Sequence, residues 1–187
     1  MSPAAYNQHY KKPDLFGEPL RCLISFFSDL SPVCVWDLGA GQGRNTLPLM
    51  ATGHSVVAID LSDVGLRQIR EKQSDSIQGK LETRCADIYG LRVEPGCDVI
   101  LLDSMFHFYK NDREREIALL TRLSSELKSG GILCLALIAT ATADRTIQHL
   151  RCDLWTKWSV LLDELEMHAT TKSRYRILAI RKPVTGS

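Results

Sequence analysis

Unbroken runs of apolar residues alternate along the chain with segments in which apolar residues recur at helical spacing. Runs rich in Val, Ile and Leu are typical of parallel strands that are buried on both faces of a sheet. Such runs occupy residues 33–37, 55–60, 98–103 and 132–139, with a weaker candidate at 81–86. The alternation predicts an α/β protein in which helices cover a central sheet.

The segments between these strands carry the signals that begin and end helices. Helices are predicted over residues 21–30, in a segment that begins soon after Gly43, from the capping-box pair Asn111 and Glu114 to the stop at 130–131, and over 147–158. Near the C-terminus, residues 160–167 and 175–180 have the character of two strands. Because only a short polar turn separates them, they pair antiparallel or not at all.

A glycine-rich loop, residues 37–45 (DLGAGQGRN), follows the first strand and opens a helix. Glycines there allow a tight turn and let a ligand approach the main chain, and the helix N-terminus suits a carboxylate or phosphate. A dinucleotide-binding loop has the spacing G-x-G-x-x-G. Counted from Gly39, the position of the third glycine is occupied by Arg44, and counted from Gly41 it is occupied by Thr46. The spacing is therefore absent, and a nicotinamide-dependent oxidoreductase is disfavoured.

Acidic residues end the neighbouring strands. Asp60 lies seventeen residues beyond Gly43, where a carboxylate can accept hydrogen bonds from both hydroxyls of a ribose. Asp87 is placed to accept from the exocyclic amine of an adenine, with Ile88 against the ring face. The fourth strand ends at Asp103. Because ligands of open α/β sheets bind at the carboxyl ends of the strands, the segment after Asp103 is expected to face the reacting centre.

The loop has the pattern D-x-G-x-G-x-G, which resembles the first motif of class I S-adenosylmethionine-dependent methyltransferases. Residues 37–62 are similar to the corresponding stretch of the tellurite-resistance and thiopurine methyltransferase-like enzymes, which act on small molecules. Weaker similarity to that group extends over residues 6–12 and 16–19, over Trp158, Glu164 and His168, and over 176–182. The resemblance covers nearly the whole chain and is most specific in the cofactor half.

The resemblance implies a Rossmann-like, doubly wound sheet of seven strands, mostly parallel, with an antiparallel strand from the C-terminal hairpin. It implies one methyltransferase domain over residues 1–187. Within it, helices over 1–30 form a lid at the entrance, 31–140 hold the cofactor, and 141–187 form the last helix and the hairpin. S-adenosyl-L-methionine is the implied methyl donor and S-adenosylhomocysteine the product.

The cofactor site is expected to combine main-chain surface with carboxylates. Its residues are Asp37, Gly39, Ala40, Gly41, Gly43, Arg44, Asn45, Asp60, Leu61, Asp87, Ile88, Asp103 and Ser104. The main chain of Gly39, Ala40, Gly41 and Gly43 is expected to cradle the methionine part of S-adenosylmethionine. Asp37 is expected to shape the loop and to reach the amino group through water.

The acceptor side is predicted from aromatic residues and two histidines. Tyr10, Phe16, Phe106, His107 and His168 are expected to line it, with Tyr6 as a further lid residue. His107 and His168 are the candidate general bases, because histidine titrates near neutral pH, although a base helps only if the acceptor has a proton to lose. Each can equally be a structural histidine. The position after His168, basic in the resembling family, is Ala169, which counts against tellurite or another oxyanion as the acceptor.

Composition narrows the class of protein. The 187 residues include 23 Lys and Arg and 22 Asp and Glu, for a net charge of +1, and 44% are hydrophobic. This balance fits one soluble domain and argues against a basic nucleic-acid platform. No apolar run reaches the roughly 20 residues that span a bilayer. Six cysteines without a C-x-x-C pair are interpreted as reduced core residues of a cytoplasmic protein. No metal, nucleic acid or membrane partner is expected, and the chain is expected to be a monomer or homodimer.

The function predicted from these features is methyl transfer to a small molecule by in-line displacement in a partly lidded pocket. The attacking atom is left open among sulfur, nitrogen, oxygen and a heavier element such as tellurium. A catalytically silent S-adenosylmethionine-binding module that regulates a partner protein is the alternative. A magnesium-dependent catechol-type enzyme is disfavoured because residues 137–140 lack its Asp-Asn pair. An amino-methylating nucleic-acid enzyme is disfavoured because residues 104–106 replace its Pro-Pro-aromatic step.

Overall fold

The computed structural model describes residues 7–8, 10–12, 15–73 and 79–184, so the predicted lid residue Tyr6 lies outside the described residues. The helices within this part are α1 (Arg21–Ser28), α2 (Thr46–Ala51), α3 (Asp63–Lys72), α4 (Arg113–Glu126) and α5 (Ala141–Asp153). The strands are β1 (Cys34–Leu38), β2 (Ser55–Asp60), β3 (Leu81–Cys85), β4 (Val99–Asp103), β5 (Ile132–Ile138), β6 (Ser159–Met167) and β7 (Arg174–Arg181).

The strands form one seven-stranded sheet in the order β3-β2-β1-β4-β5-β7-β6. β7 runs antiparallel to β5 and to β6, whereas β1, β2 and β3 pair in parallel, as do β4 and β5. The predicted fold class, a mostly parallel doubly wound sheet with an antiparallel C-terminal hairpin, is confirmed. The chain divides into two compact units, the first containing residues 1–91 and 169–171, the second 92–168 and 172–187. The prediction of a single domain stays a prediction.

The first unit contains strands β1 to β3 and helices α1 to α3. Every residue of β2 after Ser55 is buried, as its unbroken apolar run predicts. Helix α3 turns Leu66 and Ile69 onto Ala40 and Ala58, and these four form a buried cluster. The cluster fixes the helix beside the segment that follows β1, so the glycine loop lies on a packed support.

The second unit contains strands β4 to β7 and helices α4 and α5. Strands β4 and β5 are buried almost throughout, and α4 buries Leu119, Leu120 and Leu123 on one face. Trp155, after α5, is 3% exposed and donates from its indole nitrogen to Ser124 Oγ at 2.8 Å. A buried indole N–H needs such an acceptor, so this bond ties the end of α5 to α4.

Three local predictions are wrong. Helix α5 ends at Asp153 rather than continuing to Trp158, because residues 154–157 turn into β6. Helix α4 begins at Arg113, and its N-cap residue Asp112 makes no side-chain capping bond, so the capping box at Asn111 does not form. Two cysteines assigned to the core, Cys85 and Cys152, are exposed.

No helix among the described residues combines the length and apolar character needed to span a bilayer. In that same part of the chain, no group of three or more His, Cys, Asp or Glu side chains is placed to hold a metal ion.

Candidate functional site

The glycine loop between β1 and α2 turns through left-handed backbone. Gly41 has φ +55° and Gly43 has φ +86°, a region that favours glycine because it has no Cβ. Space is short as well: a Cβ on Gly43 would lie 2.9 Å from Ile69 Cγ1, and one on Gly41 would lie 3.2 Å from Tyr10 Oη. The loop therefore requires glycine at both positions, where protein side chains pack closely against the main chain.

Most main-chain donors of this loop are used within the protein. The N–H groups of Gly39 and Ala40 both donate to the carbonyl of Ile59, at 2.7 and 3.1 Å, and Gly43 N–H donates to Ala40 O at 2.9 Å. The sequence predicts that these residues cradle a ligand. In the structure these N–H groups are already bonded within the protein, so they are not available to a ligand, and the cradle stays a prediction.

Asp60, the last residue of β2, joins the loop to the next helix. One carboxylate oxygen accepts from Gly41 N–H at 2.9 Å and the other from Ser62 N–H at 2.8 Å. Burial raises the pKa of the Asp60 carboxyl, because desolvation disfavours its charge, while these two hydrogen bonds act in the opposite direction. A carboxylate has about four acceptor positions, so each oxygen can accept a second hydrogen bond from a ligand.

The other acidic residues of this unit have distinct surroundings. Asp37 is 2% exposed and accepts from Thr46 Oγ1 at 2.6 Å, which ties the end of β1 to the start of α2. Asp87 is exposed and accepts from Tyr89 N–H at 2.9 Å, and Ile88 beside it is 5% exposed. Because Asp60 pairs with Cys85 in the sheet, Asp87 lies two residues beyond the same strand edge.

Residues 10–12 and 15–16, near the N-terminus, are bonded to the glycine loop, and sequence reasoning missed their anchor, Gln42. The Gln42 side chain is 6% exposed, donates to Lys12 O at 2.8 Å and accepts from Leu15 N–H at 2.9 Å. Arg44, predicted to bind the cofactor, donates to Phe16 O at 3.0 Å. The predicted lid residues Tyr10 and Phe16 thus lie over the loop.

The segment after β4, in the second unit, has a strained backbone. Ser104 has φ +60° and Phe108 has φ +53°, a conformation that is uncommon for residues other than glycine and clusters at functional sites. Glu116 of α4, which is 5% exposed, holds this segment by accepting from Phe108 N–H at 2.7 Å and from His107 N–H at 3.3 Å. Glu116 ends the charged run at residues 110–116, a pattern that predicts a solvated helix start, whereas the structure buries this side chain.

A cavity of about 320 Å³ opens beside this segment, at the carboxyl ends of β4 and β5. His107, Phe108 and Tyr109 form one side, and Ile138, Thr140 and Thr142 line the remainder with two basic residues. The rings of His107 and Tyr109 stack at 5.2 Å with 25° between their planes. The size is in the range of small-molecule pockets.

The remaining predicted residues of this unit lie elsewhere. Phe106 is 2% exposed and stacks on Phe108 at 6.1 Å. His168 is also 2% exposed, and its ring lies 5.8 Å from that of Tyr175. Ser104 Oγ donates to Asp103 Oδ1 at 2.9 Å. The cavity lining includes His107 but neither Phe106 nor His168.

Comparison with protein families identifies the chain. The profile of a methyltransferase domain matches residues 36–135, which include the glycine loop, Asp60 and the strained segment after β4. The chain belongs to this methyltransferase-domain family. The prediction of a class I S-adenosylmethionine-dependent methyltransferase, with S-adenosylmethionine as its cofactor, is confirmed.

Curated relatives of the methyltransferase include the cypemycin N-terminal methyltransferase of a Streptomyces species, 30% identical over 62% of this chain and 46% of that protein. The probable S-adenosyl-L-methionine-dependent methyltransferase TehB of Haemophilus influenzae is 29% identical over 65% of this chain and 43% of its own length. The matches thus span less than half of either relative. Both are named as enzymes, which does not favour the alternative of a silent module.

Among solved structures, the N-methyltransferase NodS of Bradyrhizobium japonicum, in complex with S-adenosylhomocysteine, has the same fold. The TM-score is 0.73 at 13% identity, over 96% of this chain and 97% of that one. The buried carboxylate of Asp60 fits such a cofactor, because each of its oxygens holds one protein hydrogen bond and can accept a second from a ligand. The individual site residues, a cytoplasmic location, the monomer or homodimer and the absence of nucleic-acid partners stay predictions.

Proposed function

We propose that the chain transfers the methyl group of S-adenosyl-L-methionine to a small-molecule acceptor by in-line displacement. The observation that carries the proposal is the hydrogen bond from Gly41 N–H to Asp60, 2.9 Å long, which joins the glycine-rich loop to a buried carboxylate. The cofactor supplies a methyl group on a sulfonium centre. Its transfer requires alignment and exclusion of water more than a specialised catalytic group.

In this proposal, the first unit holds the donor. The main chain from Gly39 to Gly43 supports the methionine part, and each oxygen of Asp60 accepts one ribose hydroxyl in addition to its protein hydrogen bond. Asp87 accepts from the exocyclic amine of adenine through the oxygen that Tyr89 does not engage, and Ile88 packs against the ring. Asp37 keeps the loop in shape through Thr46.

The second unit holds the acceptor. Its cavity lies at the carboxyl ends of β4 and β5, where open α/β sheets bind their ligands. His107 lines the cavity and is the candidate base for an acceptor that loses a proton. His168, buried beside Tyr175, is the weaker candidate. The cypemycin enzyme is named for an N-terminus and NodS is named an N-methyltransferase, so amines are the first acceptors to test.

The donor half of the proposal is tested by calorimetric titration of the protein with S-adenosylhomocysteine and, separately, with NADH. The expected result is saturable binding of S-adenosylhomocysteine at micromolar concentration and no binding of NADH. A folded protein that ignores S-adenosylhomocysteine, or prefers NADH, would refute the assignment of the glycine loop.

The transfer half is tested with methyl-labelled S-adenosylmethionine and a panel of amines, thiols and phenols. Labelled product from at least one acceptor is expected. Cofactor binding without product from any acceptor would contradict the proposed activity. With a working acceptor, His107→Ala and His168→Ala are compared at equal affinity for S-adenosylhomocysteine. Full turnover in both variants would show that neither histidine is the base.

A further inference from the structure

The acceptor cavity has an uneven distribution of charge. Two of its lining residues, Lys110 and Arg113, are cationic, and none is acidic. The nearest buried carboxylate along the chain, Glu116, is not part of the lining and is engaged by the main-chain N–H groups of His107 and Phe108. The cavity therefore presents positive charge that its own lining does not neutralise.

Arg113 is held in place by the main chain. Its Nε donates to Phe108 O at 3.3 Å, and among the described residues no carboxylate forms an ion pair with it. Within the described part of the chain, the two terminal nitrogens of the guanidinium make no hydrogen bond. This is the group that binds carboxylate and phosphate with two parallel hydrogen bonds. Lys110, exposed in the turn before α4, adds a second, more mobile donor.

The rest of the lining suits a flat apolar body with a polar end. Ile138 supplies apolar surface, and the stacked rings of His107 and Tyr109 form an aromatic wall. Thr140 Oγ1 accepts from Ala143 N–H at 3.1 Å. Its own hydroxyl proton is left as a donor directed by that bond.

We propose that this cavity recognises acceptors through an anionic oxygen group, a carboxylate or a phosphate attached to a ring or short hydrocarbon, which Arg113 and Lys110 bind. The inference rests on the proposed function, since it names the chemical class of the acceptor. The residue after His168 is the uncharged Ala169. The positive charge of the cavity comes instead from Lys110, in the turn before α4, and from Arg113, the first residue of that helix.

The test uses four probes: benzoate, phenylphosphate, and their uncharged counterparts benzamide and benzyl alcohol. Binding to the whole chain, with and without S-adenosylhomocysteine, is measured by ligand-observed NMR titration. We expect at least one anion to bind about tenfold or more tightly than the uncharged probes, as charge-assisted hydrogen bonds predict. Stronger binding of phenylphosphate assigns the phosphate, and stronger binding of benzoate assigns the carboxylate. Equal binding of all four probes overturns the proposal.

Variants localise the preference. In Lys110→Gln/Arg113→Gln we expect the preference for anions to disappear, while the uncharged probes bind as before. The matched control is Lys157→Gln/Arg181→Gln, which removes two exposed cations near the opposite end of the same sheet, where Arg181 pairs with the first residue of β5. If the control loses the preference equally, nonspecific charge explains it and the proposal fails. Lys110→Glu, at an exposed turn, repeats the test should the double variant unfold.

The outcome is separable from that of the proposed function. Anion binding that depends on Arg113, in a protein without affinity for S-adenosylhomocysteine, would support the cavity assignment and remove the methyltransferase proposal. Cofactor binding and methyl transfer to uncharged acceptors, with no preference among the probes, would support the methyltransferase proposal and refute the cavity assignment.

Discussion

The two units of the chain secure their candidate sites by different means. In the first, the site is built on a glycine-rich loop. Asp60, at the end of β2, accepts from the main-chain N–H groups of Gly41 in this loop and of Ser62 at the start of α3. In the second, bulky residues form the surface, and Glu116 holds a backbone that is strained at Phe108. The first arrangement leaves little freedom for change, whereas the second can accept different side chains on one frame. This is the division expected when a common donor serves a particular acceptor.

The largest expected effect breaks the first arrangement. Asp60→Ala removes the acceptor for the ribose and also releases Gly41, so affinity for S-adenosylhomocysteine is expected to fall by about 100-fold or more. Calorimetry measures the loss. The control is Asp63→Asn, three residues further along on the exposed surface of α3, which is expected to bind normally. Unchanged affinity in a folded Asp60→Ala protein would contradict the assigned role.

The support beneath the loop is expected to matter next. Gly65 lies in the first turn of α3, and a Cβ there would lie 2.3 Å from the carbonyl oxygen of Gly41. Gly65→Ala must displace the loop or the helix, so we expect a loss of about 1–3 kcal/mol in unfolding free energy and about tenfold weaker binding of S-adenosylhomocysteine. Gly96→Ala, where nothing lies within 4 Å, is the matched control. Equal effects of the two substitutions would disprove the close packing.

The residues proposed for the cofactor rest on signals that lie close together in sequence. The glycine spacing, the acidic residues at strand ends and the order of the strands can all be read from adjacent residues. Gln42 could not be assigned in this way, since its partners Lys12 and Leu15 are 30 and 27 positions away. The sequence gives no signal that a glutamine side chain will bond to a distant main chain.

The sequence signals are weaker in the segment after β4, although one is present at Glu116. Glu116 belongs to a charged run, but Leu120 and Leu123 follow it at helical spacing, which places Glu116 on the buried face of α4. A charged residue in the apolar stripe of a helix indicates a specific buried partner. The left-handed backbone of Ser104 and Phe108 has no comparable signal, because neither residue favours it.

The second arrangement is tested by Glu116→Ala. Two main-chain N–H groups lose their acceptor, so the free energy of unfolding is expected to fall by about 1–3 kcal/mol, measured by denaturant titration. Affinity for S-adenosylhomocysteine is expected to stay within about threefold of the parent protein if the two sites are independent. Glu114→Ala, exposed on the first turn of the same helix, is expected to change stability by less than about 0.5 kcal/mol. A large loss in both variants would reveal a general effect of charge at this helix start.

Titration of the Asp60 carboxyl is expected to have a smaller effect, on both folding stability and ligand affinity. Because burial raises the pKa of the Asp60 carboxyl above 3.8, the folded chain binds this proton more tightly than the unfolded chain. The contribution of Asp60 to folding stability is therefore most favourable below pH 3.8 and is lost as the pH rises through its raised pKa. Ligand binding follows the opposite course, since the charged carboxylate accepts hydrogen bonds better than the protonated acid. Affinity for S-adenosylhomocysteine is expected to weaken a few-fold as the pH falls from 7 into that range, measured by calorimetry while the protein remains folded. The Asp63→Asn protein should follow the same curve, whereas Asp60→Ala should show a flatter one. A flat curve for the parent protein would mean that the charge of Asp60 is not what the ligand senses, and the loop geometry alone would then have to account for binding.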